Sequence, residues 1–167
     1  MTPEEHSASQ WAAIVALLRA QMGTGQLPTV VDVRASVDLW TGQTPALGVQ
    51  LVEITADQEF TKKLHTFATF YVLASVQSHP VVGPPYIPPN LDDANARLQT
   101  IIADGAGNGI ANVLRNPANF TLSGLASSMR ITRTQYSWEI GRGAAGSDEV
   151  WSHALLSVVV EDYISVI

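Results

Sequence analysis

The chain has 167 residues, enough for one domain with a sizeable core, and it carries 9 basic against 15 acidic residues for a formal net charge of −6. That balance excludes a protein whose grip on nucleic acid comes from neutralising phosphates, and the absence of cysteine excludes disulfides and thiolate metal sites. With 14% charged and 46% hydrophobic residues, the surface is poor in charge. Either it is a quiet surface rich in Thr, Ser, Asn and Gln, or much of it is buried against copies or partners.

In chain order, the opening Met-Thr-Pro-Glu-Glu-His is acidic where a secretory leader is basic. No apolar run approaches the roughly 18 residues of a membrane span. The expected place is therefore the cytoplasm, unless a larger particle carries the chain elsewhere. Ser7 or Ser9 can cap a first helix, with Trp11, Ile14, Val15, Leu18 and Met22 on one stripe and Gly23 as its stop. From Val31 to Leu39 apolar and polar residues alternate strictly, the pattern of a half-solvated strand. Thr41 to Pro45 turns the chain, Leu47 to Ile54 returns, and Thr55 to Glu59 turns again. These pieces predict a three-stranded antiparallel meander.

Its third strand, Thr61 to Val76, holds no Gly or Pro and is rich in β-branched and aromatic residues. It would span roughly 53 Å, whereas a domain of this size is about 40 Å across. The strand must bend, bulge or project, and a projecting strand invites a second subunit. Five prolines between Gln77 and Asn90 bar that segment from a sheet interior. Asn90 caps a second helix, whose first turn holds Asp92 and Asp93 and whose buried face is Leu91, Ala94, Leu98, Ile101 and Ile102. Gly105 to Gly109 interrupts it, and Ile110 to Leu114 adds a turn. Ser128 to Ile140 is a strand whose alternation slips between Ile131 and Tyr136, the mark of a bulge. Gly141 to Ser147 is a loop, and Val150 to Tyr163 is the last strand. The expected fold is one α+β domain over 1–167, with a mostly antiparallel twisted sheet of long strands and two main helices packed on one face.

No catalytic constellation emerges, and the chain reads as a protein that is not an enzyme and uses no cofactor or metal. Gly141-Arg142-Gly143-Ala144-Ala145-Gly146 matches the dinucleotide spacing, with Glu161 and Asp162 about 20 residues on. That chemistry needs a helix from Ser147 and a further parallel strand, for which little chain is left. A small-ligand or nucleotide-binding domain using this loop is the alternative of another class. Gly105 to Gly109 follows a helix, unlike a phosphate loop. The histidines His6, His65, His79 and His153 have no neighbours at metal-ligand spacing, and the acidic pairs, Glu161-Asp162 among them, serve solvation or capping. Trp40, Trp138 and Trp151 end strands beside loops, where they are either core or interface anchors. Arg142, Asp148 and Glu149 share one loop that a ring of subunits could pair across neighbours.

The order of elements is similar to that of the tail-terminator, or tail-completion, proteins of long-tailed bacteriophages. The likeness rests on the Trp11 to Met22 helix, the Val31 to Leu39 and Thr61 to Val76 strands, the Leu91 to Ile102 helix and the Val150 to Tyr163 strand. It is a likeness of pattern over nearly the whole chain, without a diagnostic motif. It implies a structural virion protein of the tail–neck region, assembled in the host cytoplasm. Such a protein forms a homo-oligomeric, hexameric ring that caps the tail tube, ends its polymerisation and joins tail to head. The implied partners are further copies, the tail tube protein and a head–tail connector or neck protein. DNA passes the mostly acidic lumen without specific binding, and no membrane is involved. Another neck, connector or tube-like virion subunit is the nearest alternative. Mobile loops commonly order on binding, so the expected subunit or tube contacts are Trp40, Pro84, Pro85, Tyr86, Arg142, Asp148 and Glu149.

Overall fold

A computed structural model describes residues 1–37, 43–60, 62–142 and 148–165. Helix α1 (Pro3–Ala20) begins before either expected cap. Thr2 is the cap: its hydroxyl accepts the Glu5 N–H at 3.2 Å, and the Glu5 carboxylate accepts the Thr2 N–H at 2.8 Å. This reciprocal box, with proline at the first helical position, outcompetes the later serines. Ser7 is instead buried, and the Ser9 hydroxyl donates to the Glu5 carbonyl.

The described strands form one sheet in the order β1-β2-β3-β5-β4: β1 (Asp32–Arg34), β2 (Ala46–Phe60), β3 (Lys63–Ser78), β4 (Ser128–Arg142) and β5 (Asp148–Ser165). Two expectations fail here. Of the alternating 31–39 segment, the described part, 31–37, yields three strand residues, and they pair with β2 in parallel and not as the first strand of an antiparallel meander. Val33 is buried but Val31 is 49% exposed. After β1 the backbone at Ser36 and Val37 leaves the sheet edge and crosses over Gly48, where any Cβ would collide with the Ser36 carbonyl oxygen. The second failure is the turn at 55–59. It lacks Gly and Pro, and the ladder continues through it, with Thr55 opposite Phe67 and Asp57 opposite His65.

The four long strands alternate in direction, with β2, β3, β5 and β4 each antiparallel to the next. The β3–β5 ladder runs from Lys63–Ser165 to Ser78–Val150 without a register shift, while β2 and β4 on either side carry bulges at 51–53 and 131–133. The bend required of such long strands is thus taken up beside the third strand. The bulge expected after Ile131 is there.

Helices α1, α2 (Leu91–Ile102) and α3 (Ile110–Arg115) pack on one face. Ile14, Leu18, Leu98, Ile110 and Leu114 meet Leu47, Val49, Phe70, Val72, Leu156 and Val158 in one core. As expected, the Asn90 side chain caps α2 by accepting the Asp93 N–H at 2.8 Å. Two buried serines dock that helix: Ser78 donates to Asp93 at 2.8 Å, and Ser152 donates to Asn95.

Candidate functional site: the open sheet face and its two edges

Because side chains alternate along a strand, β3 and β5 send even-numbered residues into the core. Odd-numbered ones go to a face that no described helix covers: Phe67, Tyr71, Leu73, Leu155 and Val159 lie there half-buried. Among the described residues, the crossing at Ser36–Val37 lies over Gly48 at one corner of this face, where Ala46 and Ser75 are buried. We call the end of the sheet where β3 begins the lower end, and the end where β3 finishes the upper end.

At the lower end the neighbours Glu161 and Asp162 point to opposite faces, and each engages a histidine. On the helix side, His6 Nε2 lies 2.8 Å from the Asp162 carboxylate, which also accepts the Ser127 hydroxyl at 2.8 Å. On the open side, His65 Nε2 lies 2.6 Å from Glu161, which also accepts the Ser128 hydroxyl at 3.2 Å. The His65 ring stacks on Tyr163 with centroids 4.3 Å apart. The acidic pair therefore fastens α1, β3, β4 and β5 together, a role beyond solvation or capping. The alternation of the strand was the available signal. The partners, 96 and 156 residues away, were not.

The described contact residues chosen from the sequence lie on the segment that follows the upper end of β3 and on the upper end of the β4–β5 hairpin. Pro84, Pro85 and Tyr86 lie in the exposed segment after β3, which a pair of backbone hydrogen bonds between Val81 and Ile87 closes into a loop. Ser78, which ends β3, stands opposite Val150, two residues from the last rung of the β4–β5 hairpin, Arg142 opposite Asp148. Glu149 stands opposite Gly141. Arg142 and Asp148 thus face each other within one chain. Trp40 lies outside the described residues. Trp138 is 60% exposed on β4, with Tyr136 and Ile140 as exposed neighbours on its side of the strand. Trp151, on the other face, is half-buried and stacked with His153. Burial lowers the His153 pKa, against the opposing pull of Glu139.

Among the described residues the glycine motifs do not show the arrangement of a phosphate site. Gly141 and Arg142 still belong to β4, and 148 onward is an antiparallel strand rather than the helix a dinucleotide fingerprint requires; residues 143–147 are outside those described. In the 105–109 loop, the Asp104 carboxylate accepts the N–H groups of Ala106 and Asn108 and the Asn108 amide, so these amides are already taken. Those bonds, Asn108 foremost, hold the Asp104 pKa below the usual carboxylate value. Among the described residues no three His, Asp or Glu side chains are grouped to hold a metal ion. No described helix is long and apolar enough to cross a membrane.

The two long outer strands remain. Among the described residues β4 has no strand on its far side. β1 covers β2 only at Ala46–Gly48, and the Trp11 indole N–H takes the Val49 carbonyl at 2.9 Å. From Gln50 onward the far side of β2 is likewise without a strand partner among the described residues. Searches against protein-family models and against curated proteins return no match to the chain.

Proposed function

We propose that the chain is a structural virion protein of the tail-terminator type, which closes into a ring on the phage tail tube, ends tube growth and joins tail to head. The observation that carries this reading is a sheet of four strands of 15 to 18 residues, covered by helices on one face only and with long stretches of both outer strands unpartnered. Such an element is a liability in a lone monomer and an asset in an assembling one. Low charge content and a net charge of −6 agree with a protein that buries its surface against copies and lets DNA slide past. The order of helix, long strands, Pro-rich crossing, helix and hairpin also supports it. In this reading the ring, a hexamer, meets the tube protein on one side and a neck protein on the other, within the virion. The nearest rival is another neck or tube-like subunit, which shares these features.

The test is negative-stain electron microscopy of the purified protein, alone and mixed with purified tail tubes. Closed rings seated on tube ends are expected. Long self-made tubes would favour the tube subunit. Protein that stays free of the tubes and never forms rings would overturn the reading.

A further inference from the structure

The two open edges carry opposite charge. On its open-face side β4 presents Arg130 and Arg133, both exposed, from a chain with only nine basic residues. On the same face β2 presents Glu53 and Asp57, also exposed, and β2 contains no basic residue. Among the described residues none of these four has an ion-pair partner within the chain.

Their levels match as well. Reading one row across the sheet, Arg130 is opposite Val159, Val159 opposite Thr69, and Thr69 opposite Glu53. The row through Arg133 passes Ser157 and Tyr71 to reach Gln50, and the row through Ser128 passes Glu161 and Phe67 to reach Thr55. The bulges of the two edges, at 51–53 and 131–133, fall on either side of one row, that of Phe70 and Val158. Since β4 runs opposite to β2, a second copy in the same orientation would bring its β2 to β4 in the next antiparallel place.

From this we infer that copies of the chain join head to tail, the Ser128–Arg133 edge of one pairing antiparallel with the Gln50–Thr55 edge of the next, with Arg130 and Arg133 set against Glu53. Like edges are discouraged, since β4 against β4 brings arginines together and β2 against β2 brings carboxylates together. A head-to-tail contact uses two different patches, so it closes into a ring or runs on as a filament. Above Gln50 the neighbour's edge is occupied by Trp11 and β1. There the upper half of β4 passes alongside, and its exposed Tyr136, Trp138 and Ile140 come to the helix-bearing side of the next copy, where Val31 is also exposed. The inference rests on the self-assembly in the proposed function and not on the identity of the tube.

Charge exchange tests it. One variant carries Arg130→Glu and Arg133→Glu, and a second carries Glu53→Lys and Asp57→Lys. Wild-type protein at about 100 µM, far above the dissociation constant of a specific contact, is expected to scatter light as a multimer of the 17.9 kDa chain. Each variant alone should fall to the monomer mass with an unchanged circular dichroism spectrum. An equimolar mixture of the two should regain the wild-type mass, and so should a single chain carrying all four changes. Since the chain has no cysteine, Ser128→Cys with Thr55→Cys should give a covalent ladder on oxidation, and either change alone should not. Wild-type protein that is monomeric and a double-cysteine chain that gives no ladder would overturn the inference. So would reversed variants that assemble as the wild type does, or mixtures that stay monomeric. Multimers that obey the charge rules but ignore tail tubes would leave the pairing standing and remove the terminator reading. Reversed variants that still form rings on tubes would do the opposite.

Discussion

The two ends of the β4–β5 ladder are made of the same two strands and are built on opposite plans. At the lower end a set of polar side chains is engaged: Ser127 and Ser128 reach Asp162 and Glu161, which in turn hold His6 and His65. At the upper end Tyr136, Trp138 and Ile140 are 54–60% exposed on β4. The histidine–carboxylate pairs of the lower end hold the fold together, and the exposed side chains of the upper end contribute little to it, so stability should respond to the two ends differently.

The sharpest way to break that contrast is Asp162→Ala. It strands a buried His6 and removes the acceptor of Ser127, and should cost about 2–4 kcal/mol, seen as a lower denaturant midpoint with an unchanged slope. A loss below about 0.5 kcal/mol would mean that the lower end is not a fastening. Gly48→Ala comes next. It tests the one corner of the open face that the backbone closes, and the collision with Ser36 should cost about 1–3 kcal/mol, or several degrees in melting temperature. Trp138→Thr should leave stability within about 0.5 kcal/mol while lowering the mass measured by light scattering. A large loss of stability there would erase the contrast.

The smallest effect concerns pH. Burial lowers the folded-state pKa of His153 below its ordinary 6.5, so the unfolded chain binds the proton more readily. Stability should therefore fall as pH drops through about 6.5 and level off once the folded-state value is passed. His153→Gln should remove this component, so the difference between the two unfolding curves should shift with pH in that direction. Equal pH profiles would refute it.

Elements set by local chemistry were legible in the sequence. The Asn90 cap, the prolines that keep 79–89 off the sheet, the β3 strand and the slip in β4 each depend on residues a few positions apart. What could not be read depends on distant partners. Val31 to Leu39 alternates well enough for a strand, but it is cut short because the chain crosses at Gly48, and no pattern announces a crossing. Thr55 to Glu59 looked like a turn because it is polar, yet β3 supplies it with a ladder. The candidate site was half legible. The exposed loop at 84–86 and the hairpin end at 142–149 could be picked out, whereas the charge match between β2 and β4 appears only once the rows of the sheet are known.

The place of β5 also sets an order of events. It comes after the other described strands in sequence, yet it lies between β3 and β4, touching both along their length. Before it inserts, β4 has no strand to lie against, and β3 shows a bare margin. Contacts that span some 70 to 100 residues make this a slow closure by the usual dependence on topology. Only when β5 is seated does the arginine-bearing margin of β4 take shape, so, under the edge pairing inferred above, a half-made chain would be denied the means to join its neighbours.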